Sequence, residues 1–351
     1  MIKSFLIALV CLGVLLVAGT GLWGWQGLKS LDATPPLDEP LLFDVPSGTA
    51  FVTVARRMED QGLVEDSLWL RLYGRLFPEQ AQVKAGEYEF TPGMNTLDML
   101  AIMNLGQTKS WSIQFIEGWR FRDVRTALAS HPRLKAVTSD WTDEKIMATL
   151  GAEGSHPEGR FFPDTYLFKS ADTDLDLLRR AHERMKTVLE EEWEARADDL
   201  PYESPYEALI MASIVEKETG AAFEREDVAG VFVRRMRRGM RLQTDPTVIY
   251  GMGESYEGRI RRRDLQTPTP YNTYRIPGLP PTPIALAGRE AIHAALNPAE
   301  GDTLYFVARG DGTHKFSRTL EEHRKAVREY QMRRRSDYRS SPPPAEKATD
   351  E

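Results

Sequence analysis

From Phe5 to Trp23 the chain reads FLIALVCLGVLLVAGTGLW, 19 residues without a charge. No other stretch limits the fold so strongly, because a helix of that length spans the hydrocarbon of a bilayer and few soluble folds can bury such a helix on every side. Lys3 on the short amino-terminal side predicts that this end stays in the cytoplasm, and Trp23 and Trp25 suit the interface. A cleaved signal peptide is the alternative, since Ala18 and Gly19 are small residues of the cleavable kind. The length of the run and its tryptophans favour an uncleaved anchor over 5–25, with 1–4 cytoplasmic and all that follows outside. The one cysteine, Cys11, lies in this span. The exported part therefore holds together without an internal disulfide and without cysteine chemistry.

Residues 26–40 are poor in periodic apolar positions and contain Pro35, Pro36 and Pro40, the composition of a linker. A small α+β module over 41–107 follows. Leu41–Val45 reads as a strand and Phe51–Met58 as an amphipathic helix after the Pro46–Thr49 turn. Leu68–Phe77 is helical, Gly86–Phe90 alternates as a strand does, and Thr96–Met103 is a further helix. Nothing in it resembles a catalytic constellation, so it reads as a binding or positioning module.

The remainder, 108–332, carries the candidate chemistry. SWSIQFI from Ser110 is strand-like, Phe121–Ala129 helix-like, and Asp174–Arg196 a long charged helix. Within EGRFFPDTY (Glu158–Tyr166) a proline fixes the chain before Asp164, which reads as a packed loop. Val228–Met236 is helical. LQTDPTVIYG (Leu242–Gly251) packs polar residues around a proline. TPTPYNTYRIPGLPPTPI (Thr267–Ile284) holds six prolines and can be neither a regular helix nor a central strand. Its Tyr271, Asn272, Tyr274 and Arg275 are side chains suited to sugars, with flat rings to stack and amides to bond hydroxyls. Arg289–Leu296 is a short helix, and Thr303–Ala308 with Gly310–Phe316 reads as a hairpin. From 333 to 351 the composition is that of a disordered tail.

The helical stretch YEALIMASIVEKETG, Tyr206–Gly220, ends in two glutamates. On a helical wheel Ile210, Met211, Ile214 and Val215 share one arc; Glu218 falls within about 10° of its centre and Glu216 on the opposite side. A carboxyl in apolar surroundings loses hydration, holds its proton to higher pH and can serve as a general acid. The alternative is a helix apolar all round, with both glutamates solvated where its last turn emerges.

Other chemistries fall away. The six histidines show no HExxH or comparable ligand spacing, so neither a metal nor another cofactor is expected. There is no phosphate-binding loop, no GxGxxG and no GxSxG elbow. The net charge of -7 argues against nucleic acid, and the arginine clusters at 234–241 and 259–263 read as solvated faces. Acid–base work by carboxylates remains.

The strings ASIVEKET (Ala212–Thr219), LQTDPTVIYGMG (Leu242–Gly253), TPYNTYRIPGLPP (Thr269–Pro281) and LYFVARGDGTHKF (Leu304–Phe316) resemble those of the YceG-like endolytic murein transglycosylases, the MltG family. The similarity covers nearly the whole chain. It implies an α+β protein with one amino-terminal transmembrane helix, a small LysM-like module and a larger YceG-type catalytic domain over 108–332. It also implies a lytic transglycosylase, a carbon–oxygen lyase acting on polysaccharide. Such an enzyme cuts the β-1,4 bond between N-acetylmuramic acid and N-acetylglucosamine of nascent peptidoglycan, leaves a 1,6-anhydro end, and terminates strand elongation. The setting implied is the bacterial inner membrane with the catalytic domain periplasmic, and the partners are glycan strands and peptidoglycan synthases.

The family's catalytic glutamate is the second of EKET, here Glu218. Neighbourhood and polar type make Thr219, Gln243, Thr244, Asp245, Tyr250, Asn272 and Tyr274 the expected substrate-binding set. Two other readings of the residues stay open: a non-catalytic wall anchor, and a glycoside hydrolase pairing Glu218 with Asp164 or Asp245.

Overall fold

A computed structural model describes residues 2–332 and divides the chain into two compact units, 1–111 with 167–171 and 112–166 with 172–351. The tail expected over 333–351 lies outside the described residues. The first unit begins with α1 (Ile2–Lys29), a helix long and apolar enough to cross a membrane. Its leucines and valines from Leu9 to Val17 are more than half exposed, which a helix in water avoids. The helix outruns the expected span. Trp23 meets the Trp69 ring edge-on at 4.5 Å, Gly27 leaves room for the same ring, and Leu31 in the following turn is fully buried. Residues 26–32 are therefore packed helix, not linker: Gly27 has no side chain to reveal a periodicity, and Leu31 is a lone apolar signal.

After α1 come β1 (Leu41–Val45), α2 (Phe51–Asp60), α3 (Ser67–Leu76), β2 (Gly86–Phe90) and α4 (Thr96–Leu105). β1 and β2 pair antiparallel, with Leu41 opposite Phe90 and Val45 opposite Gly86. The strand faces bearing Phe43, Val45, Tyr88 and Phe90 meet Val54, Met58, Leu70, Met99 and Met103 in one core. Alternation in the strands and i, i+4 spacing in the helices produce this layer directly. Asn95 and Asp98 close a capping box at the start of α4, supplying partners to backbone N–H groups that no helix can satisfy itself.

Two short strands, β3 (Trp111–Gln114) and β4 (Thr165–Phe168), fall where the chain passes between units. The second unit contains α5 (Phe121–Ser130), α6 (Asp143–Thr149), α7 (Asp174–Glu194), α8 (Pro205–Glu218), α9 (Arg225–Arg237), α10 (Asp245–Met252), α11 (Arg262–Gln266), α12 (Arg289–Leu296), the antiparallel hairpin β5 (Tyr305–Ala308) and β6 (His314–Ser317), and α13 (Leu320–Tyr330). At its centre is α8. Ser204 caps it by accepting from Glu207 N, Pro205 takes the first helical position, and every residue from Ala208 to Val215 is buried. A helix apolar on all faces has to be a core helix, and α7, α9, α10 and α12 pack around it.

The proline-rich stretch has no regular element from 267 to 288 and is bolted to this helix instead. Ile284 N donates to Ser213 Oγ at 3.0 Å, and Gly288 N donates to Glu216 at 3.1 Å. The same stretch fixes Gly159, whose φ of 75° no β-carbon tolerates well and whose β-carbon would lie 2.4 Å from Pro283 Cβ. Gly159→Ala is expected to cost about 2–4 kcal/mol in denaturant unfolding, from left-handed strain plus overpacking.

Candidate active site

Glu218 is the last residue of α8. Thr219 after it is extended (φ -140°), so the helix stops there and the acid stands at its end. The arc argument does not distinguish the two glutamates, because α8 is buried all round. Both carboxyls turn inward, and their partners differ. Glu216 Oε2 accepts from Gly288 N, and its other oxygen lies 3.8 Å from Arg225, a buried guanidinium that also pairs with Glu290 and Glu117. Glu218 has no cation in contact among the described residues. Thr244 Oγ1 donates to its Oε1, while Oε2 has no hydrogen-bond partner among the described residues. Burial pushes the Glu218 carboxyl up to about 7, and the negative charge of Asp245 adds to that; the Thr244 hydrogen bond and the Arg235 charge oppose it. The cause is loss of hydration without a compensating ion pair.

Around this acid lies a cleft of about 520 Å³, lined on one side by Arg235, Leu242, Gln243, Asp245 and Tyr274 and on the other by the β5–β6 hairpin and α13. Its first wall turns at Gln243, a non-glycine residue at φ 54° whose N–H donates to Thr273 O. Such backbone is costly and persists where its surroundings impose it. Thr244, next in the chain, precedes α10 but does not cap it. Its hydroxyl goes to Glu218, while its N–H and C=O are both held by Thr273 Oγ1. Asp245 opens α10, where a carboxylate is favoured by the helix dipole, and accepts from Tyr274 OH at 2.7 Å. Arg235 joins the walls: Nε donates to Leu304 O at 2.7 Å and Nη1 to Leu242 O at 2.5 Å.

Of the expected residues the structure thus brings Glu218, Gln243, Asp245 and Tyr274 to one cleft, with buried Thr244 behind the acid. Thr219, Tyr250 and Asn272 do not line it. Thr219 Oγ1 accepts from Ala221 N and shapes the turn after α8; the hydroxyl that touches the acid belongs to Thr244. Asn272, 1 % exposed, donates to the carbonyls of Asp264, Leu265 and Thr267 and accepts from Tyr274 N. Its amide holds a loop together and is not free for a hydroxyl. Tyr250 packs against Tyr271 with the rings tilted at 57° and donates to Glu158 at 3.1 Å.

Glu158 went unassigned in the sequence. It is 4 % exposed, accepts from Phe121 N at 2.9 Å, and burial pushes its carboxyl up to about 7. The turn glycine after it, Gly159, is the available signal, and the Glu158 carboxylate receives the first N–H of α5. It caps α5 and does not line the cleft. Among the described residues no three His, Cys, Asp or Glu side chains converge as metal ligands.

The arrangement supplies one carboxyl that keeps its proton up to about pH 7, held through one oxygen and open at the other, with the Asp245 side chain in the same cleft. That suits proton donation to a leaving oxygen followed by proton removal. Thr244→Val removes a donor that favours the charged form. The Glu218 titration midpoint, followed by carboxyl NMR, is expected to move up from about 7 by roughly half to one pH unit.

The sequence pattern of the YceG-like family matches residues 43–329. The endolytic murein transglycosylase of Bacillus subtilis (strain 168) is 29 % identical over 333 residues, covering 90 % of this chain and 91 % of the relative. That of Streptococcus pneumoniae serotype 2 (strain D39 / NCTC 7466) is 26 % identical over 375 residues, covering 94 % of this chain and 65 % of the relative, so the chain spans about two thirds of that longer protein. A 2.6 Å crystal structure of a YceG-like protein from Listeria monocytogenes superposes with a TM-score of 0.55 at 30 % identity, over 82 % of this chain and 99 % of the other.

Proposed function

This chain belongs to the YceG-like family, and we propose that it is an endolytic murein transglycosylase with Glu218 as its single proton-transfer group. The relatives bearing that name support the activity. The observation that carries the residue assignment is the carboxyl at the end of α8, raised to about 7 by burial, with one oxygen bonded to Thr244 and a cleft before it. In this reading protonated Glu218 gives its proton to the bridging oxygen between N-acetylmuramic acid and N-acetylglucosamine as the bond from that oxygen to C1 breaks. The C6 hydroxyl of the same muramoyl residue then bonds to C1, and its proton passes to the Glu218 carboxylate. Atoms balance, the acid is regenerated, and no water enters. Attack from within the substrate draws on proximity for much of the rate.

Gln243, Asp245 and Tyr274 contact the glycan along the first wall, and Thr244 orients the acid. The span at 5–25 holds the protein in the inner membrane with its amino terminus cytoplasmic and the 108–332 domain periplasmic. The 41–107 module is LysM-like and serves binding or positioning. Cleavage there terminates nascent strands beside the synthases that make them. Mass analysis of products from polymeric peptidoglycan tests the reading. Fragments cut at internal positions and ending in 1,6-anhydro-muramic acid are expected; reducing ends one water heavier would overturn it in favour of hydrolysis.

A further inference from the structure

Asp245 shares the cleft with Glu218 yet takes no part in the proton transfers just described. Its place is nonetheless built. It opens α10 directly after the residue that holds the acid, and one of its oxygens accepts from Tyr274 OH at 2.7 Å. Tyr274 is itself fixed, its N–H bonded to Asn272 and its carbonyl to Arg241. Burial and the adjacent Asp245 charge both keep the phenol protonated, and therefore a donor.

We infer that Asp245, held by Tyr274, is a positioning residue for charge: a carboxylate that moves no proton but sets the electrostatics of the cleft for the reaction at Glu218. The inference rests on the transglycosylase reading above. Its physical content has two parts. A fixed negative charge near Glu218 disfavours a second one, so the acid enters the reaction carrying its proton. As the glycosidic bond breaks, positive charge develops on the sugar ring, and a carboxylate already in place stabilises it without reorganisation. The other ionisable groups lining the cleft are Arg235, Tyr305, His314 and His323. Arg235 works in the opposite sense on Glu218. Burial, with the Arg235 charge adding to it, holds His323 below the ordinary 6.5. His314 bonds Glu224 through Nδ1 at 2.9 Å. Asp245 is the carboxylate among them that supplies the negative charge.

The test is the pH dependence of kcat/KM for the full chain in detergent on polymeric peptidoglycan, with products identified by mass. Anhydro ends from the wild type establish the underlying reading first; without them that reading fails, whatever the variants do. Activity needs protonated Glu218, so the wild-type profile falls on the alkaline side near 7. Asp245→Asn is expected to lower kcat at least about tenfold and to shift the alkaline limb down by about one pH unit. Asp245→Glu, which keeps the charge, is expected to restore the limb to within about 0.3 unit of wild type. An Asp245→Asn profile that coincides with wild type, or an Asp245→Glu limb displaced as far as that of Asp245→Asn, overturns the inference. Should Asp245→Asn lose its circular dichroism spectrum, Tyr274→Phe is read instead: an alkaline limb displaced downward from that of wild type supports the inference, and a limb that coincides with wild type overturns it.

Discussion

Replacing Glu218 by glutamine is expected to lower turnover of peptidoglycan by about 10³–10⁴-fold, near the top of the range for loss of a general acid, because the same group gives the proton and takes the next one. Glutamine is isosteric, and its carbonyl oxygen still accepts from Thr244, so circular dichroism and glycan binding should be retained. A stability effect of opposite sign accompanies the loss. A carboxyl whose value rises from 4.5 to about 7 on folding favours the native state while it is protonated, and that contribution disappears as pH rises from about 4.5 through about 7. The full effect is at most about 3 kcal/mol. The wild type should therefore lose stability across this window while Glu218→Gln does not. At pH 8 the variant is expected to melt above the wild type, and near pH 4.5 the two should coincide. A glutamine variant that still releases anhydro fragments at the wild-type rate removes Glu218 from the mechanism.

Arg225→Ala is expected to destabilise the protein by about 3–5 kcal/mol, the usual result of removing one member of a buried ion pair. Arg225 is 8 % exposed and faces Glu216, Glu290 and Glu117. Glu216 is the partner that suffers, since its side chain is 7 % exposed. Burial already raises its carboxyl, and Arg225 opposes that. Without the guanidinium the carboxyl rises further, so the deficit should be small where Glu216 is protonated and grow with pH. Chemical unfolding of the full chain at several pH values measures this. Adding Glu216→Gln in the Arg225→Ala background should recover about half of the loss, as the charge without a partner is then gone. A deficit independent of pH would assign the effect to lost packing.

These two glutamates also mark the limit of what could be read from the chain. The apolar run that makes α8 a core helix was plain in YEALIMASIV, as were the strand alternations at 41–45 and 86–90. The wheel singled out Glu218 for a reason that does not hold, since a helix buried on every side has no exposed face for Glu216 to occupy. What separates the pair is non-local. Arg225 and Gly288 serve one carboxyl, Thr244 the other, and spacing within a helix carries no information about either. α10 carries no element assignment from the sequence, where LQTDPTVIYG shows only polar residues around Pro246, although proline fits the first turn of a helix, where no N–H bond is lost. α13 was not assigned. Only Ala326 among its residues is buried, so its charged sequence left little apolar periodicity to detect. Asn272 looked like a sugar ligand by residue type, yet three carbonyls occupy its amide; type alone cannot tell a free donor from an engaged one.

Arg235 ties Leu242 on one rim of the cleft to Leu304 on the other through two backbone carbonyls. One rigid guanidinium thus acts as a gauge for the gap between segments distant in the chain, fixing that gap before any polymer arrives.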